Sequence, residues 1–392
     1  MAKARTHFLQ GYLELSKGTE IPQLFTLWCG LNVISATLAR RVYLDLSLFQ
    51  VYPNLFTVLV AGSGRCRKST SIGVAEGFLR TIVPPLNLIS QRVTPESLID
   101  AVRISNIDGA SVRQICDGTV IADELSTFLN RRSYEAGIAP LLIQMFDCKP
   151  KFEYRTKGRG IELLQGTCLG LLGGSTIDYI KDAIPEDAIG GGLTSRIIFV
   201  YVETPEEPVP FPLKSAAKEV LALRLVDELE RIRFLTGSFS LSSEGHSFFE
   251  QDYRAFYMGS NLFDSGDTAG YASRRHIHML KLGMLFAVAE GDDLIIEKRH
   301  LEGAREALTL TEPSLPRVLN LITTTSSGTL VMLVRHLIER EGKITKSSLL
   351  QRVSHKMTAR DLEEVISTLQ GGGCVETVVE GSRIIYCARK PL

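Results

Sequence analysis

The sequence predicts an α/β protein whose core is a parallel β-sheet, followed by a helical region and a small C-terminal domain. Short apolar runs alternate with segments of helical periodicity, which is typical of parallel strands covered by helices on both faces. A glycine-rich turn joins the first run to a helical segment. Beyond Pro208-Val-Pro-Phe-Pro212, which cannot continue a helix or a central strand, the pattern becomes mostly helical. The five apolar runs are Leu55–Val60, Leu86–Ser90, Thr119–Ala122, Cys168–Leu172 and Ile197–Val202.

Length and composition indicate a multi-domain globular protein outside the membrane. The chain has 392 residues, and single cores rarely exceed roughly 250 residues, so two or three domains are expected. No apolar run approaches the roughly 20 residues that a membrane helix needs. Because the basic N-terminus lacks an apolar signal segment, we expect a cytoplasmic protein. Lys+Arg and Asp+Glu both number 44, so any binding to nucleic acid must use local basic groups.

The first 50 residues predict a small helical collar. Between Pro22 and Arg41 apolar residues recur at helical spacing, and Val42–Leu46 then alternates as a short strand does. We therefore assign residues 1–50 to the collar and residues 51–210 to the sheet-based core.

The turn after the first apolar run has the spacing of a phosphate-binding loop. Gly62-Ser-Gly-Arg-Cys-Arg-Lys-Ser69 follows G-x-x-x-x-G-K-[ST], except that Arg67 occupies the second glycine position and leaves the backbone conformation open. In such a loop, backbone N–H groups surround the β-phosphate, the lysine reaches the β- and γ-oxygens, and the hydroxyl binds Mg²⁺. Lys68 is predicted to be catalytic and Ser69 to bind Mg²⁺, with Thr70 the less favoured hydroxyl. The predicted nucleotide-binding residues are Gly62, Ser63, Gly64, Arg65, Cys66, Arg67, Lys68, Ser69 and Thr70.

Two adjacent carboxylates end the third apolar run. Thr119-Val-Ile-Ala leads directly into Asp123 and Glu124. After a phosphate loop, an Asp at this place holds Mg²⁺ and the following Glu polarises the attacking water. A strand that ends in acids is common by itself, so the prediction depends on its pairing with the loop. We assign Asp123 to the nucleotide and Mg²⁺ site and Glu124 to catalysis.

A β-hairpin is predicted before the fourth apolar run. Residues 152–163 alternate around a glycine-rich tip that carries Lys157 and Arg159, with Arg155 on the first strand. Cations at a hairpin tip can follow a phosphate backbone without reading its sequence. These three residues are the candidate DNA-binding residues, with an ordinary exposed turn as the alternative.

The C-terminal part divides into a helical region, residues 211–325, and a final domain, residues 326–392. The polar run Thr323–Gly328 predicts a linker between them. The order of helices and strands after it is that of a winged helix-turn-helix. Its third helix begins at Thr358 and carries three acids against Arg360, which disfavours insertion into the major groove. DNA contact and protein docking therefore both stay open, with an accessory role favoured.

The order of motifs resembles the AAA+ ATPases, and within them the hexameric helicase branch, such as MCM-like helicases and phage or plasmid primase-helicases. The resemblance covers roughly residues 22–325 and rests on the loop, the acid pair, the hairpin and Gly191–Arg196 before the fifth run. Arg67-Lys68-Ser69 is similar to a form of the loop found in phage and plasmid helicases.

The resemblance also implies roles for residues beyond the loop and the acid pair. By this likeness Ser175, or its neighbour Thr176, is sensor 1 and Arg196 is the arginine finger. Arg274 or Arg275, at the start of an amphipathic helix, is sensor 2 and contacts nucleotide. Each arginine also has an ordinary explanation as a surface cation, because exposed cations usually contribute little.

We expect an ATP- and Mg²⁺-dependent DNA helicase or translocase that forms a ring, expected to be a hexamer. It would act on single-stranded or forked DNA in the replication of a phage or mobile element. Because no primase or nuclease motif is visible, primase, polymerase and other replication proteins are candidate partners. Two alternatives stay open: an ATP-switched helicase loader or origin-remodelling factor, and a DNA-binding scaffold with a degenerate ATP site.

Overall fold

A computed structural model describes residues 7–90, 94–108, 111–156, 160–185, 188–189, 192–205, 207–211, 215–323, 326–354, 356–380 and 383–389. The chain forms two compact units, residues 1–322 and residues 323–392. Segments 1–50 and 51–210 and nearly all of 211–325, which the sequence suggests as three domains, share the first unit.

The first unit contains most of the helices and strands. Its helices are α1 (Phe8–Ser16), α2 (Gln23–Leu38), α3 (Lys68–Arg80), α4 (Pro95–Val102), α5 (Leu125–Phe128), α6 (Arg131–Glu135), α7 (Ile138–Phe146), α8 (Ile180–Ala183), α9 (Ala216–Arg233), α10 (Ser243–Gly259), α11 (Gly266–Ala272), α12 (Arg275–Glu290), α13 (Lys298–Thr311) and α14 (Leu315–Thr323). Its strands are β1 (Val42–Asp45), β2 (Gln50–Val51), β3 (Phe56–Ala61), β4 (Leu88–Ile89), β5 (Arg103–Asp108), β6 (Ser111–Ala122), β7 (Lys151–Thr156), β8 (Gly160–Gln165), β9 (Cys168–Thr176), β10 (Ile197–Tyr201), β11 (Gly237–Leu241) and β12 (Ile295–Ile296).

The central sheet confirms the five strands that the sequence predicts. Within the described chain its parallel strands have the order β10-β3-β9-β6-β4. The strand that follows the phosphate loop and α3 is β4, and it is an outermost strand of the sheet. The strand β9 lies between β3 and β6. All carboxyl ends meet at one edge of the sheet, where α/β proteins bind ligands.

The apolar runs are continuous because helices cover both faces of the sheet. Along β3, Leu59 and Ala61 pack with residues of α1, α2, α9 and α12. Phe56, Val58 and Val60 point to the other face and pack with residues of α4, α7 and α14. Since successive side chains of a strand point to opposite faces, both faces require apolar residues.

Two features of the first unit differ from the prediction. The third predicted strand is the end of a much longer strand, β6, whose first half pairs antiparallel with β5. A second sheet, in the order β12-β11-β1-β2, joins the N-terminal segment to the region predicted as mostly helical. There Val42 lies opposite Gly237 in a parallel pair. Such long-range pairing has no signature in local periodicity.

The second unit has helices α15 (Ser326–Glu341), α16 (Lys346–Val353) and α17 (Ala359–Gly371), and strands β13 (Lys343–Thr345), β14 (Val375–Glu380) and β15 (Arg383–Ala388). These elements occur in the predicted order, and the strands form an antiparallel sheet, β13-β15-β14. The predicted linker at 323–328 is shorter than expected because α15 begins at Ser326. In the described parts of both units, no helix has the length and apolar character that crossing a membrane requires.

Candidate functional site

The loop after β3 contains three residues with positive φ angles. Gly64, Cys66 and Arg67 have positive φ angles of 67°, 59° and 48°. Arg67 lies in the left-handed region and directly precedes α3. An arginine therefore adopts the conformation that a glycine would provide at this position, at a cost of about 1 kcal/mol. The departure from the motif changes the side chain and keeps a glycine-like backbone.

The side chain of Arg67 is held by an acid that the sequence did not single out. Its Nε and one terminal nitrogen each lie 2.6 Å from Oε2 of Glu20, in the connection between α1 and α2. The other oxygen of Glu20 accepts a hydrogen bond from the backbone N–H of Val209 at 3.2 Å. Glu20 thus ties the loop to two distant segments. Glu20 and Arg67 are 47 positions apart in the sequence, so the contact has no local signal.

Lys68 is buried at the start of α3. Its ammonium donates hydrogen bonds to the carbonyls of Ala61 and Gly62 at 3.2 and 3.1 Å. Burial lowers the pKa of Lys68, and the nearby carboxylate of Glu124 partly offsets this. The ammonium therefore rests on carbonyls of its own loop, which a phosphate can replace as hydrogen-bond acceptor. The remaining predicted side chains of the loop, Ser63, Arg65, Ser69 and Thr70, are exposed.

The acid pair lies beside the end of β9. Ser175 is fully buried near the end of β9, and its hydroxyl has two acceptors within reach of its one proton: Oε1 of Glu124 at 3.4 Å and the carbonyl of Thr176 at 3.3 Å. The hydroxyl of Ser126 donates to the same carboxylate oxygen at 3.3 Å. Two hydroxyls from separate segments thus orient the carboxylate of Glu124. Thr176, the alternative sensor, instead accepts a hydrogen bond from the backbone of Tyr179.

A glycine permits this close approach of strands and helix. A Cβ at Gly174 would lie 2.6 Å from the carbonyl oxygen of Asp123 and 3.0 Å from Cδ1 of Ile72 in α3. Real Cβ contacts do not occur below 3.0 Å. The α3 helix, β9 and the acid pair therefore meet at a point that has no room for a side chain.

Ser69 and Asp123 fit a Mg²⁺ that is bound together with phosphate. Both offer oxygen, the donor that Mg²⁺ prefers, and both are exposed. Although its side chain is exposed, partial desolvation raises the pKa of Asp123 above its ordinary value, and the Glu76 carboxylate raises it further. Among the described residues no group of three or more His, Cys, Asp or Glu side chains is arranged to hold a metal. A Mg²⁺ here would need phosphate and water oxygens, as Mg²⁺ sites on nucleotides generally do.

Arg196 lies at the opposite edge of the sheet, directly before β10. It is 5% exposed, and its Nε and Nη2 donate to the two oxygens of Asp147 at 3.0 and 2.7 Å. Because β10 and β3 are five and six residues long, the two edges are roughly 17–20 Å apart. Arg196 cannot reach its own phosphate loop, and reaching a neighbour's nucleotide would require breaking the ion pair. Arg196 is therefore a buried, paired side chain and not an ordinary surface cation, and its role as an arginine finger stays a prediction.

The two candidates for sensor 2 also lie away from the phosphate loop. Arg275 is buried and paired with Asp252 at 2.8 Å and with Glu312 at 2.6 Å, which makes it a structural residue. Arg274 is 35% exposed and lies 3.8 Å from Asp147, at the same edge as Arg196. Neither arginine contacts the phosphate loop of its own chain, and a sensor 2 role for Arg274 or Arg275 stays a prediction.

The edge that carries Arg196 and Arg274 has a cavity of about 940 Å³. Its lining is mostly neutral and apolar, and it includes the acid Asp45 and four cationic side chains: Arg40, Lys149, Arg274 and Lys281. Asp147 lines the same cavity. Apart from Arg274, no member of this cluster belongs to a motif of the sequence, because the members come from segments far apart in the chain.

The predicted hairpin is confirmed, with β7 and β8 paired antiparallel and Lys151 opposite Gln165. Arg155 is exposed on β7. Lys157 and Arg159 lie outside the described residues, so their DNA-binding role stays a prediction.

Comparison with known proteins adds no assignment to this geometry. No protein-family model matches the chain, and no curated protein is significantly similar to it.

Proposed function

We propose that this chain binds and hydrolyses a nucleoside triphosphate, ATP with Mg²⁺, at the carboxyl edge of its central sheet. The observation that carries the proposal is the meeting of three groups from separate elements. Lys68 begins α3, Glu124 follows β6, and Ser175 near the end of β9 donates to Glu124. A loop that binds phosphate, beside a carboxylate held by hydroxyls, has the parts that phosphoryl transfer to water requires.

Each of these residues has a distinct task in the proposed reaction. The N–H groups at the start of α3 donate to phosphate oxygens, since they have no partner within the helix. Lys68 turns from the carbonyls of Ala61 and Gly62 to the β- and γ-oxygens. Glu124 orients the attacking water and takes up its proton, and Ser175 keeps the carboxylate in place. Mg²⁺, held through Ser69 and Asp123, neutralises phosphate charge when bound.

The geometry favours a working site over a degenerate one. Arg67, which stands where a glycine is usual, is the residue that suggests a degenerate site. Its backbone adopts the left-handed conformation that a glycine would allow, and its side chain pairs with Glu20. A scaffold that has lost hydrolysis would have no use for this strained conformation, whose cost of about 1 kcal/mol must be met elsewhere.

We further propose that the ATPase drives a ring-shaped motor on single-stranded or forked DNA. This step is supported by the sequence resemblance and by the basic hairpin with Arg155 exposed. Arg196 and Arg274 lie at the edge of the sheet opposite the phosphate loop. In a ring, this edge of one subunit would face the nucleotide of the next subunit, so its arginines support the proposal of self-association. Arg274, which is more exposed than Arg196, is the arginine better placed to cross such an interface. The ATP-switched loader remains the second candidate, favoured if nucleotide controls assembly without unwinding.

The first experiment is Mg²⁺-dependent ATP hydrolysis with and without single-stranded DNA. Lys68→Ala should abolish turnover, and Lys298→Ala, which removes an exposed lysine of α13, should leave it unchanged. Turnover in Lys68→Ala equal to wild type would refute the site. If the protein is a motor, DNA should stimulate hydrolysis and a strand should be displaced from a forked duplex. If it is a loader, hydrolysis should stay at its basal rate and no strand should be displaced.

Shared sites across subunits can be tested separately. Arg274→Ala mixed with wild type should lower activity by more than dilution if one subunit's arginine serves its neighbour's nucleotide. Electron micrographs with an ATP analogue should then show closed rings. Activity that falls only with dilution would count against a trans-acting arginine.

A further inference from the structure

Two cysteines meet at the base of the β7–β8 hairpin. Below the last pair of the hairpin, residues 149–150 and 166–167 continue alongside each other through two hydrogen bonds, of 3.0 and 2.8 Å. The next residues in this register are Cys148 and Cys168. Both are free thiols, and they are hydrogen-bonded to each other. The fold thus brings together two thiols that are separated by the whole hairpin in the sequence.

Arg40, which follows α2, ties the two segments together. Its Nη1 donates to the carbonyl of Cys148 at 2.5 Å and to that of Thr167 at 2.7 Å. Residues that face each other in paired antiparallel segments have Cα atoms about 4.5–5.5 Å apart. A disulfide requires about 4.4–6.8 Å. The backbone at Cys148 and Cys168 is therefore placed for a disulfide without a large movement.

The surroundings of Cys148 favour its thiolate. The thiol lies 3.4 Å from Oδ1 of Asn54, and the same oxygen accepts a hydrogen bond from Lys281 at 2.5 Å. Burial by itself raises the pKa of Cys148, but the hydrogen bond from Cys168 and two nearby cations outweigh it and lower the pKa below its ordinary value. These cations are Lys281 and Arg40. The hydrogen bond with Cys148 and burial both raise the pKa of Cys168. Since the thiolate is the nucleophile, Cys148 is the thiol that reacts first.

A reagent can approach Cys148 through the cavity of about 940 Å³, which this residue lines. Cys148 is only 3% exposed, so the reagent must be small. Hydrogen peroxide, which is little larger than water, meets this requirement. Cys168 is 2% exposed, but it needs no access, because it reacts with a sulfur that already lies beside it.

We propose that Cys148 and Cys168 form a redox-active pair that hydrogen peroxide oxidises to a disulfide. The Cys148 thiolate attacks one peroxide oxygen, the O–O bond breaks, and hydroxide leaves and takes up the proton that the thiol released, which gives a sulfenic acid and water. The sulfur of Cys168 then attacks this sulfur. The S–S bond forms, the S–O bond breaks, and the departing hydroxide takes up the Cys168 proton. Two thiols are thereby oxidised while one peroxide is reduced to two waters.

The disulfide would fix the base of the hairpin to the central sheet. Cys148 follows the end of α7, and Cys168 is the first residue of β9. The closed loop between them contains both hairpin strands, including the exposed Arg155. No step of this oxidation uses a nucleotide, so the inference goes beyond the proposed function and does not depend on it.

Peptide mass spectrometry of the full-length, folded protein tests the proposal. The protein is treated briefly with hydrogen peroxide, which catalase then removes, and the remaining thiols are alkylated in urea before digestion. The peptides that carry Cys148 and Cys168 should appear as one cross-linked species, and dithiothreitol added before alkylation should return them as two alkylated peptides. Cys116→Ala, which removes another buried thiol, of β6, is the matched control and should form the same cross-link.

Two variants test the order of attack. Cys168→Ala should leave Cys148 as a sulfenic acid, which dimedone traps as a covalent adduct. Cys148→Ala should leave Cys168 as an alkylated thiol without an adduct. The reverse pattern, with the adduct on Cys168 alone, would overturn the assignment of Cys148 as the nucleophile.

The wild-type measurement decides the proposal even if a variant fails to fold. If both cysteines of the folded protein stay fully alkylated after peroxide, the redox-active pair does not exist. Cross-links of equal yield between other cysteines would also overturn it, because they indicate unfolding and not a preformed pair.

Discussion

Gly174→Ala is the substitution whose effect the structure defines most sharply. The added Cβ would lie 2.6 Å from the carbonyl oxygen of Asp123, and such contacts are not found below 3.0 Å. That carbonyl belongs to the peptide between Asp123 and Glu124, so the peptide must move by at least 0.4 Å, the difference between these distances. Overpacking of this kind costs about 1–3 kcal/mol of unfolding free energy.

The same displacement should impair hydrolysis more than binding. Catalytic groups must be held within about 0.5 Å of their productive positions, and an error of about 1 Å can cost a hundredfold in rate. We therefore expect kcat to fall roughly tenfold, while KM stays near that of wild type because the phosphate loop is not displaced.

The measurement combines urea unfolding with steady-state ATPase kinetics. Gly77→Ala is the matched control, since a Cβ at this position of α3 meets nothing within 4 Å. Ala at a helical site is favoured over Gly by about 0.5–1 kcal/mol, so the control should be slightly more stable and fully active. If Gly174→Ala unfolds at the same urea concentration as wild type and keeps its kcat, the close approach at Asp123 is wrong.

Three further predictions address other parts of the site and its support. Ser175→Ala removes the buried hydroxyl that donates to Glu124, so kcat should fall roughly tenfold with little change in KM; an unchanged kcat would exclude Ser175 from the reaction. Arg67→Gly and Arg67→Ala both lose the ion pair with Glu20, but only glycine relieves the strain of the left-handed backbone. Arg67→Gly should therefore be more stable than Arg67→Ala by about 1 kcal/mol in urea unfolding. Equal stability of the two variants would contradict the left-handed conformation at this position. Lys281 donates hydrogen bonds to Tyr52 and Asn54, and burial lowers its pKa from 10.5 to about 8. On raising the pH, the folded state therefore loses this proton before the unfolded state does. The contribution of Lys281 to stability accordingly rises with pH between these two values. The destabilisation caused by Lys281→Met, measured by thermal unfolding, should accordingly be larger at pH 10 than at pH 7, and a difference independent of pH would refute the lowered pKa.

Local patterns were sufficient for the main elements of the fold. The five apolar runs, the loop at Gly62–Ser69 and the acid pair at Asp123–Glu124 each extend over ten residues or fewer, and periodicity and turn chemistry act over that range. Even the fourth strand was correctly placed, although it extends to Thr176 and so includes the predicted sensor. The hairpin before it was found for the same reason.

The N-terminal segment was harder to interpret because its partners are distant in sequence. Its strand β1 pairs with β11 almost 200 residues later, and its helices share a core with α9 and α12. The alternation at Val42–Leu46 did predict β1 itself, but it carried no information about the strands that pair with β1, because sheet pairing depends on neighbours that are distant in sequence.

The sequence alone determined which residue types could form a phosphate site: a lysine and a hydroxyl at the start of a helix, and two acids at the end of a strand. Only the tertiary structure decided which of the other candidates join them. By inserting β9 between β3 and β6, the fold brings Ser175 to Glu124. By placing Arg196 at the opposite edge, it pairs that arginine with Asp147. The physical reason is that motif chemistry is encoded by neighbours along the chain, whereas contacts between segments depend on strand order and packing.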